Sequence, residues 1–205
     1  MAIEICFHPE EEVQPGQSKW WGDPDLPVEM DYPCDQEGNP LTFLCQICLE
    51  EIAPYDPQHL LPHEGMLYLF AAVAEYLPEL DLEQGDHNGL GEWGSDAYAI
   101  RYAPAGCELR CCRLCYEDGE PATLPAEKIT FSEAEEGAPG FKLLGRPYYE
   151  EVQELYPDHL SLLQVDEEMR WGLTLYDCGM LSLLLRPEEL RERAWDEALL
   201  YFHSF

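Results

Sequence analysis

The sequence predicts a mainly β fold, of the β-rich α+β class, made of two similar half-domains that derive from an internal duplication. Three blocks recur in the same order along the 205 residues: a K-x-x-G-x-P segment, an apolar strand that contains one Gln, and a G-M-L segment that leads into another apolar strand. Three blocks in one order argue against coincidence and indicate a repeated structural unit. We therefore expect sheets packed around a pseudo-twofold axis, with few short helices.

The repeated positions are the expected structural framework of both halves. They are, in the first half, Lys19, Gly22, Pro24, Gln46 and Gly65 and, in the second half, Gly145, Pro147, Gln164 and Gly179. A Gln among apolar neighbours is costly to bury unless it is hydrogen-bonded. We therefore expect Gln46 and Gln164 to bond equivalent backbone groups near the pseudo-twofold axis.

The chain order follows from this repeat. Residues 1–17 are acidic and are expected to form an irregular lead-in, although the alternation over residues 3–7 also suits a short strand. Residues 18–205 are expected to form one domain, with a first half at about 18–132 and a second half at about 141–205. Apolar runs and period-two alternation predict strands at 42–49, 65–73, 96–102, 128–131, 160–165 and 180–185.

Helical signals are confined to the second half. Residues 148–155 suit a helical turn. A helix is expected to start at Arg186, because Pro187 near its first position and acids in its first turn both favour a helix N-terminus. Residues 198–205 suit either a strand or a helix tail.

The charge of the chain restricts its ligands. It carries 42 acidic and 11 basic residues, a formal net charge of −31. Such a field repels phosphate backbones, which excludes nucleic acid as a direct ligand, and attracts a cation or a basic protein or peptide. The alternative is that the acidic surface serves solubility alone.

The N-terminal residues and the cysteines predict a cytoplasmic protein. Residues 1–4 lack the features of a signal peptide, and no run approaches the roughly 18 apolar residues of a membrane span, so no membrane association is expected. The nine cysteines are an odd number, which indicates free thiols in a reducing compartment.

One cysteine cluster suggests chemistry. Four thiols within nine residues are candidate zinc ligands: Cys107, Cys111, Cys112 and Cys115. The spacing C-x3-C-C-x2-C differs from the two separated knuckles of most structural zinc sites. Arg110 and Arg113 would lower thiol pKa values, so redox-active thiols compete with zinc, and cysteines without a special role are the third interpretation. No cofactor other than zinc is suggested.

Four aromatic residues are candidates for binding a partner: Trp20, Trp21, Tyr148 and Tyr149. They lie in or beside predicted loops with acids nearby, which suits a protein interface or a cation. The alternative for the two tryptophans is that they cover the core of the first half. No motif of nucleophilic, metalloprotease or phosphate-loop catalysis occurs, so we do not expect an enzyme.

The repeated blocks also carry a resemblance. They include Ser18-Lys19, residues 40–49 (PLTFLCQICL), residues 61–70 (LPHEGMLYLF), residues 144–147 (LGRP), residues 162–166 (LLQVD) and residues 177–181 (DCGML). In this order they resemble the YwqG-like bacterial family, whose function is unknown. The sequence departs from the family pattern at Trp21, Arg146 and Cys178, and the cysteine cluster lies outside that pattern.

The resemblance implies a β-rich fold made from a duplicated, strand-swapped unit. Its eukaryotic relatives, the programmed-cell-death-protein-2 group, are similar to chaperones for a ribosomal protein, which implies a protein-binding or chaperone-like role. We therefore expect a non-enzymatic interaction module whose acidic surface binds a basic protein partner. The alternatives are a metal- or thiol-dependent protein centred on residues 107–115 and an immunity-type protein that neutralises a toxin.

Overall fold

The mainly β class is confirmed by the computed structural model, which describes residues 2–85, 87 and 89–205. Within these residues the chain forms thirteen strands, three short α-helices and four 3₁₀ turns. The strands are β1 (Ala2–His8), β2 (Lys19–Trp20), β3 (Asp25–Pro27), β4 (Thr42–Cys48), β5 (Met66–Ala71), β6 (Gly91–Trp93), β7 (Tyr98–Ala103), β8 (Leu109–Cys111), β9 (Glu127–Ala134), β10 (Lys142–Gly145), β11 (Leu160–Val165), β12 (Met180–Leu185) and β13 (Leu199–His203). The helices are α1 (Leu49–Ile52), α2 (Glu150–Leu155) and α3 (Pro187–Glu192), and the 3₁₀ turns are Ala53–Tyr55, Ala74–Tyr76, Met169–Trp171 and Trp195–Glu197.

Eleven of the described strands form one antiparallel sheet, in the order β6-β13-β12-β11-β10-β1-β9-β2-β4-β5-β7, and β3 pairs with β8 in a separate two-stranded sheet. The large sheet curls, so that side chains of β4 and β5 meet side chains of β11 and β12. Leu44 and Phe70 line the same small apolar cavity as Leu163 and Leu181. The strands of both halves therefore share one core.

The N-terminal residues lie at the centre of this sheet. All seven residues of β1 pair with β9, and Ile3 and Glu4 also pair with β10. The expectation of an irregular lead-in over residues 1–17 is therefore wrong for residues 2–8. Ile3 and Ile5 are buried in the core, and the alternation of residues 3–7 was the correct signal.

The other elements follow the sequence closely. The strands predicted in the first half correspond to β4, β5, β7 and β9 with shifted ends, and those at 160–165 and 180–185 coincide with β11 and β12. Helix α3 begins as expected: Pro187 is at its start, and the Glu189 side chain accepts a hydrogen bond from the Arg186 backbone N–H at 2.7 Å. Residues 199–203 form a strand, and among the described residues none of the helices is long and apolar enough to cross a membrane.

The two halves correspond at the repeated positions. Lys19 pairs with Gln46 across β2 and β4, and Lys142 pairs with Gln164 across β10 and β11. A Cβ atom added to either repeated glycine would lie 2.6 Å from an alanine Cβ, that of Ala126 for Gly22 and that of Ala2 for Gly145. Both glycines therefore allow a neighbouring backbone segment to approach closely. Descent of the two halves from one ancestral unit stays a prediction.

Candidate functional site

A buried polar network joins the first repeated lysine to the repeated glutamine. Lys19 Nζ donates to Asp25 Oδ2 at 3.0 Å, and Gln46 Nε2 donates to the same oxygen at 2.8 Å. Gln46 Oε1 accepts from the Asp25 backbone N–H at 2.9 Å, and Gln46 Nε2 also donates to the Gln17 carbonyl at 2.8 Å. The expectation that Gln46 bonds backbone groups is confirmed. The network fixes residues 17–25 against β4.

Burial makes this network structural. Asp25 is 5% exposed, Lys19 6% and Gln46 0%. Burial by itself would raise the pKa of Asp25, but hydrogen bonds from the Gly16 backbone and the Gln46 amide, together with the Lys19 charge, hold that pKa below its ordinary value. Asp25 is therefore an ionised partner for Lys19, without access to a ligand.

The second half repeats the glutamine but loses the carboxylate. Gln164 Oε1 accepts from the Tyr148 backbone N–H at 2.9 Å, and Gln164 Nε2 donates to the Gly140 carbonyl at 2.8 Å. Tyr148 thus takes the place of Asp25. Lys142 is 2% exposed, and its Nζ has no hydrogen-bond partner within the described residues. Burial lowers its pKa to about 8, against the opposing effects of Glu136 and Asp166.

The prediction that Trp20 and Trp21 contact a partner is wrong. They are 0% and 1% exposed. Trp20 stacks on Trp171 with ring centroids 6.0 Å apart, and Trp21 meets the edge of that ring at 5.5 Å. Strand β2 pairs with β4 on one side and β9 on the other and so buries Trp20. Trp21 follows the strand in the left-handed region, with φ of 57°, and its backbone N–H donates to the Leu44 carbonyl at 2.8 Å. Covering the core, the alternative interpretation, is their role.

The two tyrosines belong to a surface feature that we call the aromatic patch, defined as Tyr148, Tyr149, His203 and Phe205. Tyr148 is 38% exposed and Phe205 is 81% exposed, whereas Tyr149 is 6% exposed. The Tyr149 ring contacts Tyr148 at 5.0 Å, His203 at 4.4 Å and Phe205 at 5.2 Å between centroids. Its hydroxyl donates to the Cys178 carbonyl. Tyr149 is therefore the buried anchor, and Tyr148 and Phe205 are the accessible rings.

Two carboxylates of helix α2 follow Tyr149 directly at the aromatic patch. Glu150 and Glu151 are exposed in the first turn of α2, and Glu151 Oε2 lies 4.0 Å from His203 Nε2. Burial raises the pKa of the Tyr149 phenol, and the nearby Asp166 and Glu167 add to that rise. Rings bordered by carboxylates attract cations through both the ring face and direct ion pairing. The arrangement suits Lys and Arg side chains.

Residues His203 and Phe205 were missed from the sequence. A usable signal existed, because residues 199–205 alternate between half-buried or exposed and buried positions, with Tyr201, His203 and Phe205 on one face. That face passes beside α2, which starts just after Tyr149. The sequence suits either a strand or a helix tail at 198–205, so the alternation could not be used to place His203 and Phe205 on one face.

The cysteine segment does not form the predicted zinc site. Among the described residues no group of three or more His, Cys, Asp or Glu side chains is placed to hold a metal ion. Cys107, Cys111 and Cys115 are exposed, and Cys112 is half-buried. The segment contains β8 and continues past it, with the Cys112 N–H donating to the Pro24 carbonyl at 2.9 Å. Extended backbone sends successive side chains to opposite faces, which separates the thiols of Cys111 and Cys112.

The redox-active interpretation is also unsupported at Cys112. Burial raises the pKa of the Cys112 thiol, and Arg110 offsets this only in part. A raised pKa reduces the thiolate population, and the thiolate is the reactive species. The arginines of this segment therefore do not activate that thiol.

Removal of metal should leave the protein unchanged. Because the described thiols and carboxylates form no metal-binding group, we expect the melting temperature to be the same with and without EDTA and after addition of zinc. Differential scanning calorimetry on protein purified without chelator, with elemental analysis of the same sample, checks this. Stoichiometric zinc together with a lower melting temperature in EDTA would contradict it.

Comparison with known protein families finds a match for part of the chain. A family described as Domain of unknown function (DUF1963) matches residues 18–133, more than half of the chain. The matched segment runs from just before β2 into the last residues of β9 and contains the Lys19–Asp25–Gln46 network. No curated protein matches the chain.

Proposed function

We propose that this chain, which belongs to the DUF1963 family, is a non-enzymatic protein-interaction module that binds a basic segment of a protein partner. The observation that carries the proposal is the aromatic patch, where the exposed rings of Tyr148 and Phe205 pack on Tyr149 and the exposed Glu151 lies 4.0 Å from His203. Large rings with few rotatable bonds are typical anchors of protein interfaces. Carboxylates at their border favour Lys and Arg as the residues they contact.

The distribution of the basic residues strengthens this preference. Lys19 and Lys142 are buried. Lys128 pairs with Glu11, and Arg170 pairs with Glu127 and Glu168. Much of the small positive charge is thus neutralised or hidden, while most of the carboxylates that give the net charge of −31 reach the surface. A basic segment would be attracted from a distance and would then be held locally by the patch.

The resemblance to the YwqG-like family, and through it to the programmed-cell-death-protein-2 group, supports a chaperone-like version of this role. In that version the acidic surface shields a basic client until the client reaches its final partner. The immunity-type alternative uses the same surface for one tight toxin partner. A chaperone-like module should bind several unrelated basic peptides with similar affinity, whereas an immunity-type protein should bind none of them strongly.

The proposal predicts how charge reversal at the aromatic patch changes binding. We expect the wild type to bind a Lys/Arg-rich peptide at low salt, and the variant Glu150→Lys/Glu151→Lys to bind it at least about tenfold more weakly. Tyr148→Ala should weaken binding by a similar factor, because it removes an accessible ring. Fluorescence anisotropy with a labelled peptide, at low and at high salt, measures both effects.

The matched control reverses two charges elsewhere. Glu29 and Asp31 are exposed near the end of β3, and Glu29→Lys/Asp31→Lys changes the net charge by the same amount as the patch variant. This control should lose less than about threefold if binding is local to the patch. Equal losses in both double variants would show that net charge alone attracts the peptide, and equal affinity for a charge-reversed acidic peptide would refute the proposal.

A further inference from the structure

A second surface site is a cleft of about 510 Å³ that none of the aromatic-patch residues lines. Its walls are the loop that follows α1 and the C-terminal end of α3, and β7 contributes one ring. The side chains that matter are His59, His63, Glu64, Tyr102, Arg191 and Arg193. Four of these six carry or can carry positive charge, in a chain whose acidic residues outnumber its basic residues by 42 to 11.

The two arginines of this cleft are available to a ligand. Arg191 and Arg193 are exposed, and within the described residues neither forms an ion pair with a carboxylate. An exposed guanidinium in so acidic a chain would be expected to find a carboxylate partner. Of the acidic residues that the structure describes, Glu64 alone lines the cleft. The cleft is therefore a local positive site on a negative protein.

Arg193 is held in place by its backbone and by a ring. It is the C-cap of α3 in the left-handed conformation, with φ of 57°, and its backbone N–H donates to the Glu189 and Leu190 carbonyls. Its guanidinium lies over the Tyr102 ring, 5.4 Å from the centroid. The Tyr102 hydroxyl donates to the Glu64 carbonyl at 3.3 Å, which ties β7 to the opposite wall.

The opposite wall is fixed by a buried carboxylate. Asp56 is fully buried and accepts hydrogen bonds from the Leu60 N–H at 3.1 Å and the Leu61 N–H at 2.9 Å. Its Oδ2 also lies 3.3 Å from His63 Nε2. The His63 ring stacks on His59 with centroids 4.3 Å apart and an interplanar angle of 24°. His59 has φ of 50°, so both walls carry a non-glycine residue in the left-handed region.

We infer that this cleft binds the oxyanion group of a small molecule, a phosphate monoester or a carboxylate. Guanidinium groups donate paired N–H bonds that match both oxyanions, and imidazole N–H groups can add further bonds. A small anion lies within a Debye length of about 8–10 Å of the arginines and is screened from most of the other charges. A polyanion such as nucleic acid or an anionic membrane would meet the field of the whole chain and be repelled.

Basic residues in the last turn of a helix also stabilise the helix itself. That role would explain Arg191, but it does not explain the stacked histidines, the ordered loop at Asp56 or the ring beneath Arg193. A stability measurement separates the two roles, because helix stabilisation changes the melting temperature without any ligand.

The test uses the full chain and two probes, inorganic pyrophosphate and citrate, in an NMR titration of backbone amides at constant ionic strength. We expect saturable shifts confined to residues 59–64, 102 and 191–193, with one probe preferred, which identifies the phosphate or the carboxylate as the better group. Arg191→Gln/Arg193→Gln should weaken binding at least about tenfold. Arg113→Gln, which removes an exposed arginine outside the cleft, should leave the affinity within about twofold.

Several results would overturn the inference. They are the absence of saturable shifts at millimolar probe, shifts spread over the surface, and equal loss of affinity in Arg113→Gln. If the double variant only lowers the melting temperature and binds as the wild type does, the arginines serve the helix. The Glu150→Lys/Glu151→Lys variant should retain the anion affinity, so failure of this site is distinguishable from failure of the proposed peptide binding.

Discussion

Replacing Asp25 by Ala should lower the free energy of unfolding by about 3–5 kcal/mol. The Asp25 Oδ2 atom accepts hydrogen bonds from Lys19 Nζ, Gln46 Nε2 and the Gly16 backbone N–H. Without it the Lys19 ammonium, in a residue that is 6% exposed, would keep its charge in the interior with no counterion. Guanidinium denaturation at pH 7, followed by tryptophan fluorescence, measures the change.

The double variant Lys19→Met/Asp25→Ala is the control for this result. It removes both charges and should recover a large part of the lost stability, because a buried ion pair is costly mainly when it is broken on one side. The low pKa of Asp25 means that its contribution is complete above its ordinary value, near 4, and is lost as the pH falls through the lowered value, so pH 7 shows the full effect. A cost below about 1 kcal/mol for Asp25→Ala would contradict the proposed role of the network.

This network shows how far sequence reasoning reaches. A single Gln inside an apolar strand predicts a specific hydrogen-bond partner, because an unpaired amide is costly anywhere in a core. The identity of that partner was not predictable. Asp25 lies 21 residues away in the chain, in a segment for which the sequence predicts no strand or helix. Local sequence patterns predict that a buried polar side chain needs a hydrogen bond, and tertiary contacts determine which group supplies that bond.

The burial of Trp20 and Trp21 also could not be predicted from local sequence. Strand β2 contains only Lys19 and Trp20, and two residues give no periodicity to read. It is a strand because β4 and β9 pair with it from both sides. The sequence of residues 18–24 therefore left both a surface and an interior position open, and the sheet order decided between them.

The aromatic patch was half predictable. Tyr148 and Tyr149 were identified because they precede acids in a loop, which is a local property. Phe205 joins them because its ring packs on Tyr149, which is a tertiary contact between distant parts of the chain. The thiol segment failed for the opposite reason: nearness in sequence suggested nearness in space, whereas extended backbone at β8 separates neighbouring side chains.

Replacing Lys142 by Met should raise the free energy of unfolding at pH 7, by up to about 3 kcal/mol. Lys142 occupies the position of Lys19, but Tyr148 stands where the first half has Asp25, and within the described residues the Lys142 Nζ has no hydrogen-bond partner. Burial lowers its pKa from 10.5 to about 8. Methionine has a similar length and no charge to desolvate.

The pH dependence of this stability difference tests whether the buried charge of Lys142 is its cause. Below about pH 8 the Lys142 amine of the folded protein is buried and charged, so the loss of stability caused by its desolvation is complete. Between about pH 8 and 10.5 the unfolded chain binds more protons than the folded one, so the stability contributed at this site rises with pH. The difference between Lys142→Met and the wild type should therefore be largest at pH 7 and should shrink toward pH 10.5. Taking this difference removes the titration of tyrosines and thiols, which is common to both proteins.

Lys19→Met is the matched variant for this comparison, because it places the same side chain at the corresponding position of the first half. It should destabilise the protein, since it leaves the ionised Asp25 buried without its cation. Opposite signs for two corresponding substitutions would show that the two halves hold the corresponding lysine in different ways. A destabilising Lys142→Met with no pH dependence would mean that the Lys142 ammonium has a partner in solution, and the lysine would then stabilise both halves.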